Sequence, residues 1–198
     1  MIAGLEELLL AAATIQKWFH EEGWRFCFIG GVAVQRWGDP RFTRDIDLTL
    51  LTGFGDEEKF VDGLLKRLNP RRPDAREFAL SRRVLLAETS ERVEVDVALG
   101  ALPFEERTVA RASAWQVREG VTLITCSAED LVVHKAFASR DLDWGDVERV
   151  LIRQHGKLDL AQVRSELKPL LELKGEPESL DKLERMLATV ERRLRTKI

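Results

Sequence analysis

Apolar residues along the first twenty positions recur at helical spacing. Leu5, Leu8, Leu9, Ala12, Ile15 and Phe19 fall on one face, and Gly23 ends the run, so a first helix is expected there. Arg25 to Ile29 is short, aromatic and apolar, as a buried strand would be. Gly30-Gly31 breaks it, and Val32 to Trp37 returns to a helical pattern that stops at Gly38-Asp39-Pro40. From Asp45 to Leu51 the chain alternates: Asp45, Asp47 and Thr49 on one side, Ile46, Leu48 and Leu50 on the other. That is a strand with one wet face. A helix over about 57–68 follows, then a Pro/Arg-rich loop around Asn69 to Pro73. Strands are expected at Arg83 to Glu88 and Arg92 to Leu99, and a strand pair, Ala114 to Val117 and Val121 to Thr125, around Glu119-Gly120. Beyond Ser127 the pattern is wholly helical. Ser127 with Asp130 resembles a capping box opening a helix through Phe137. Further helices are expected from Trp144 to His155, from Leu160 to Leu173, and after Pro177. The reading is an α+β sheet domain with an N-terminal helix over 1–125, then a helical C-terminal region over 126–198.

Charge and cysteine content narrow the picture only a little. With 44% hydrophobic residues in 198, the chain can bury a sizeable core. Its 31 basic and 34 acidic residues leave a net charge of -3, so any nucleic-acid signal has to be local. One local stripe exists: Lys182, Arg185, Arg192, Arg193, Arg195 and Lys197 face only Glu184 and Glu191. Arg71, Arg72 and Arg76 are a second basic spot. Cys27 and Cys126 sit apart in apolar runs with no metal-ligand spacing, as reduced thiols of a cytoplasmic protein would. The apolar run Leu8 to Ala13 lacks a basic stretch before it and reads as part of an amphipathic helix, so no membrane segment is expected.

The stretch FIGGVAVQRWGDPRFTRDIDLTL, Phe28 to Leu50, carries the chemistry. Asp45 and Asp47, at i and i+2 of a strand, point the same way, and such a pair is costly without a counter-charge. Mg²⁺ supplies one; it prefers oxygen ligands and shares its sites with substrate phosphates. A third acid on a neighbouring strand, Asp96, would allow two metals about 3.5–4 Å apart, as in-line nucleotidyl transfer requires. Gly30-Gly31, at a strand-to-helix turn, would let backbone N–H groups approach a triphosphate with no Cβ in the way. Thirteen residues separate Gly31 from Asp45, and Thr43-Arg44 lead directly into the acid pair. Arg41 and Arg44 either meet phosphate or neutralise the acids. His134, beside Lys135 but on another face of its helix, reads as packing, and His20 and His155 as helix-end residues.

FIGG followed by TRDIDLTL resembles the signature of the nucleotidyltransferase superfamily of DNA polymerase β type. RVEVDVALGALPFEERTVARA and SAEDLVVHKAFASRDLDWGDVERVL are similar to its AbiEii/AbiGii toxin-like family. The resemblance spans about 26–152 and implies a nucleotidyltransferase-type mixed β-sheet flanked by helices, followed by a helical region that completes the active site. It implies that Asp45, Asp47, Asp96 and Lys135 are catalytic and that the three aspartates bind Mg²⁺, with Glu94 competing for the third place. Asp96 is preferred because the family's acidic element ends just before a Leu-Gly turn, here Leu99-Gly100. The nucleotide would be held by Gly30, Gly31, Thr43, Arg44 and Lys135, with Asp143 or Asp146 as the family's late aspartate. The implied activity moves an NMP from a nucleoside triphosphate to an acceptor hydroxyl, the tRNA 3′ end in some members, with a cognate antitoxin as partner. Antibiotic-type and protein nucleotidyltransferases share these elements, and a non-catalytic binding module on the same fold is the alternative outside enzymes.

Overall fold

A computed structural model describes residues 4–195. Lys197 of the basic stripe lies outside them. By its internal contacts the chain forms two units. One comprises Arg41–Cys126 with the chain up to Val32; the other comprises Ala33–Pro40 with the chain from Ser127 onward.

The first unit is built on a seven-stranded mixed sheet. In chain order the strands are β1 (Phe26–Phe28), β2 (Asp45–Leu51), β3 (Asn69–Pro70), β4 (Val84–Glu88), β5 (Glu94–Gly100), β6 (Ser113–Arg118) and β7 (Val121–Thr125). They lie side by side in the order β3-β4-β5-β2-β1-β7-β6. β2 runs parallel to β5 and β1 parallel to β7; the other neighbours are antiparallel. The alternation expected of β2 is realised. Ile46, Leu48 and Leu50 are fully buried in a core shared with Val95, Val97 and Leu99 of β5, while Asp45 and Asp47 turn to the opposite face. Helix α1 (Leu5–Glu21) lays Leu5, Leu8, Leu9, Ala12, Ile15, Trp18 and Phe19 into that core.

Helix α2 (Gly30–Trp37) starts at the double glycine itself, two residues earlier than expected. Helix α3 (Glu57–Leu65) lies within its expected range. Two further helices were not legible as periodic apolar runs. Helix α4 (Ala75–Arg82) buries only Ala75 and Ala79, whose small side chains leave little hydrophobic contrast. Helix α5 (Pro103–Arg111) buries Phe104 and Thr108, and starts with proline in its first turn. The Glu105 carboxylate accepts from the N–H groups of Ala101 and Leu102, both at 2.8 Å. The Asn69 region, read as loop, contributes the two-residue edge strand β3. Cys27 and Cys126 are buried and form no disulfide.

The helical unit contains α6 (Ala128–Ala138), α7 (Asp141–Arg153), α8 (Leu160–Lys174) and α9 (Glu178–Arg195), with α6 touching the other three. Ser127 caps α6 by accepting from the Asp130 N–H at 3.1 Å, the cap expected from sequence. Helix α7 begins three residues before the expected Trp144, after Ser139 turns the chain in the left-handed region at φ 61°. The Ser139 hydroxyl accepts from the Trp144 indole at 3.1 Å, closing the corner. Residues 33–40 join this unit through backbone carbonyls: Arg153 donates to Gly38 O at 2.5 Å and Gln154 to Trp37 O at 3.0 Å. No helix among the described residues is long and apolar enough to cross a membrane.

Candidate active site

The parallel pairing of β2 with β5 places Asp45 opposite Glu94 and Asp47 opposite Asp96. One carboxylate oxygen each from Asp45, Asp47 and Asp96 lies within 4.8 Å of the other two, the only such grouping among the described residues. Like charges in direct register repel, so each carboxylate is held by a donor. Gly31 N–H donates to Asp47 Oδ2 at 3.3 Å, and buried Thr43 donates its hydroxyl to Asp45 Oδ1 at 2.9 Å. Arg71, on the segment after β3, donates one guanidinium nitrogen to Glu94 and another to Asp96.

The glycines are required by this packing. Gly30 has φ 51°, and a Cβ on it would overlap the Asp47 carboxylate; a Cβ on Gly31 would overlap the Thr43 side chain. The GG turn and the DxD strand are thus two halves of one contact, which accounts for their pairing in the sequence. Arg44 is exposed, with its guanidinium carbon 5.9 Å from the centre of the exposed Phe42 ring. Arg41 donates to Phe42 O at 3.0 Å.

Burial pushes the Asp96 carboxyl up to about 6; Arg71 pulls it down, and Asp47, Asp45 and Glu94 push it further up. A carboxyl raised in the folded state binds its proton more tightly there than in the unfolded chain. Its contribution therefore favours folding at low pH and is lost as pH rises between about 4 and about 6. Thermal melts of cation-free wild type and Asp96→Asn across pH 4–7 are expected to show it. The wild-type Tm should fall relative to the variant as pH rises, and parallel profiles would contradict it.

Within the helical unit, Lys135, Asp143 and Asp146 form a second cluster. The Lys135 ammonium is 2.9 Å from Asp143 Oδ1 and 3.1 Å from Asp146 Oδ2, and both aspartates are fully buried. Arg140 holds Asp143 at 2.6 Å and Arg149 reaches Asp146 at 3.4 Å. Burial alone would raise the Asp143 carboxyl, but hydrogen bonds from Arg140 and Lys135 outweigh it and hold the group below the usual carboxylate range. Both candidate late aspartates thus meet the same lysine. Neighbouring His134 is partly buried, and burial first, then the Lys135 charge, lowers its pKa to about 4, leaving it neutral near pH 7.

Sequence reading named Arg71 only as part of a basic spot. In the structure that spot is spent: Arg71 on Glu94 and Asp96, Arg72 on Asp74 at 2.5 Å, Arg76 on Asp62 at 2.8 Å and Glu58 at 2.9 Å. The α9 stripe is partly spent too. Arg193 pairs with Glu148, Arg195 lies 4.0 Å from Glu191, and Lys182 lies 4.6 Å from the Trp144 ring centre; Arg185, Arg192, Arg193 and Arg195 are exposed residues of the helix.

The fold is that of nucleotidyltransferases. An antigenic nucleotidyltransferase-like protein from Paracoccidioides brasiliensis superposes with a TM-score of 0.54 at 14% identity, covering 90% of this chain and 93% of that one. Looser matches are a lincomycin-bound lincosamide antibiotic adenylyltransferase (TM-score 0.46, 14% identity, 73% and 95% covered) and ANT(2″)-Ia in complex with adenylyl-2″-tobramycin (0.40, 19%, 96% and 97%). Residues 16–193 match the family described as nucleotidyl transferase AbiEii toxin, type IV toxin–antitoxin system, and the chain belongs to that family. No curated protein matches it.

Proposed function

We propose that this chain transfers a nucleoside monophosphate from a nucleoside triphosphate to an RNA hydroxyl, the tRNA 3′ end being the expected acceptor. It would do so as the Mg²⁺-dependent toxin of a pair with a cognate antitoxin. The observation that carries the reading is the convergence of Asp45, Asp47 and Asp96 beside a turn where glycine alone fits. An all-carboxylate donor set, Asp45, Asp47 and Asp96, fits hard divalent ions. Such ions, when bound, polarise phosphoryl oxygens and offset the charge of the triphosphate.

The protein's own residues would do the rest. The missing Cβ atoms of Gly30 and Gly31 let Asp47 and Thr43 pack against the turn, and backbone N–H groups at the start of α2 would face the phosphates. Thr43 fixes the Asp45 carboxylate and Gly31 that of Asp47. Arg44, exposed beside the acids, is available to phosphate. As the acceptor oxygen bonds to the α-phosphorus and the bond to the β-phosphate oxygen breaks, the acceptor's proton goes to Asp96, and pyrophosphate leaves. Lys135 would add positive charge for the phosphates, with Asp143 and Asp146 fixing its ammonium. On this reading 1–125 is the catalytic domain and 126–198 supplies Lys135.

The test is transfer from α-labelled and γ-labelled triphosphates to pools of tRNA, protein and small molecules. Label from the α-phosphate is expected in tRNA, and none from the γ-phosphate. α-Label in aminoglycoside or protein pools alone would replace the RNA acceptor. A second expectation concerns Arg192, Arg193 and Arg195. Changing all three to Gln should weaken tRNA binding and reduce its salt slope by about one unit per lost phosphate contact, with nucleotide binding unchanged. Unchanged tRNA kinetics would leave α9 a structural helix.

A further inference from the structure

Arg71 reaches the acid cluster from outside the strands that carry it. Asn69 and Pro70 pair with Glu88 and Ala87 of β4, and the Arg71 N–H donates to Leu86 O at 3.1 Å. Leu86 is directly opposite Asp96. The backbone of Arg71 is therefore fastened to the sheet one strand away from the third acid, and its side chain crosses β4 to reach it. One terminal nitrogen holds Glu94, the other Asp96, and the buried Nε has no hydrogen-bond partner. The guanidinium thus adds a unit positive charge to four carboxylates, Asp45, Asp47, Glu94 and Asp96, arrayed in register on two parallel strands.

We propose that Arg71 is an intramolecular counter-ion, occupying Asp96 in the cation-free protein and leaving it, while still tethered at Glu94, when a divalent cation binds. The inference rests on the metal reading given above. Two cations cannot share one carboxylate without mutual repulsion, and a dication outweighs a guanidinium at that oxygen. Glu94 gives the displaced group somewhere to stay: its carboxylate accepts from the other terminal nitrogen and lies opposite Asp45 rather than opposite Asp47. Arg71 would thereby offset the repulsion among the carboxylates when no cation is bound and keep the affinity of the bare site low. This is a positioning role, acting through the carboxylates.

The experiment measures Mn²⁺ binding to the full chain, by the electron paramagnetic resonance of the free ion, in wild type, Arg71→Gln and Arg71→Lys. Arg71→Gln is expected to bind Mn²⁺ about tenfold more tightly, about 1.4 kcal/mol, and to gain more Tm on adding Mg²⁺ than wild type does. Arg71→Lys, which keeps the charge, should stay within about threefold of wild type. If Arg71 is only a structural bridge, Arg71→Gln will lower the Tm and leave the Mn²⁺ affinity unchanged, which overturns the proposal. If neither wild type nor Arg71→Gln binds Mn²⁺, the metal reading falls and this inference with it. Should Arg71→Gln fail to fold, Mg²⁺ titration of wild type labelled with ¹⁵N in arginine side chains decides the matter. The Arg71 Nε–H signal, assigned by its loss in Arg71→Lys, should shift with the midpoint of cation binding. A signal unmoved at saturation would contradict the displacement.

Discussion

Asp45→Asn and Asp47→Asn are each expected to lower nucleotidyl transfer by at least about a thousandfold, about 4 kcal/mol on the barrier. Neither change should unfold the protein. Asn keeps an oxygen that can accept from Thr43 or Gly31, so the local hydrogen bonds at 2.9 and 3.3 Å have a replacement. Each variant also removes one charge from a row of opposed carboxylates, so the cation-free Tm should hold or rise. Asp96→Asn should lose activity on the same scale. Glu94→Gln should not, because its carboxylate lies outside the group of three, and a change within about tenfold is expected. The measurements are steady-state transfer of α-labelled nucleotide and a thermal melt of each variant. Near-wild-type activity in both Asp45→Asn and Asp47→Asn would remove the basis of the proposed mechanism.

Lys135→Met is expected to cost the fold about 3–5 kcal/mol, by leaving two fully buried aspartates without the ammonium that lies between them. The net contribution of such a cluster, against an apolar replacement of all three residues, is small; removing one partner is costly because the remaining charges stay buried. The double variant Lys135→Met/Asp146→Asn should therefore recover part of the loss. Urea denaturation of the wild type, single and double variants measures this. A single-variant loss under about 1 kcal/mol, or a double variant less stable than the single, would show that the ammonium does not compensate the two carboxylates. Arg140 is less exposed to this reasoning, since Asp143 keeps the lysine when the arginine is changed.

What could be read from sequence follows from which elements carry contrast. Strand β2 alternates charged and aliphatic residues, α1 repeats large apolar residues every three or four positions, and Ser127 with Asp130 makes a cap; each expectation matches the structure. Helices α4 and α5 bury an Ala-Ala and a Phe-Thr pair at i, i+4, which carry little hydrophobic contrast. The approach of Gly30-Gly31 to Asp47 and Thr43 was partly legible, since the two motifs made chemical sense together; that they touch was not. Arg71 could not have been placed at Asp96. Its position depends on a two-residue strand containing proline, a type that leaves no periodic signal. The choice between Asp143 and Asp146 had no answer in sequence for a physical reason: three residues apart on α7, both face the same ammonium.

The central claim is that Asp45, Asp47 and Asp96 together bind the divalent ion that serves nucleotide transfer. Crystals grown with Mn²⁺ and a non-hydrolysable nucleoside triphosphate test it most directly through the anomalous signal of the ion. The account predicts anomalous density in contact with the carboxylates of Asp45, Asp47 and Asp96 and with phosphate oxygens, absent from crystals of Asp47→Asn grown the same way. Nucleotide bound with its phosphates away from these aspartates, or Mn²⁺ density at other side chains only, would contradict it.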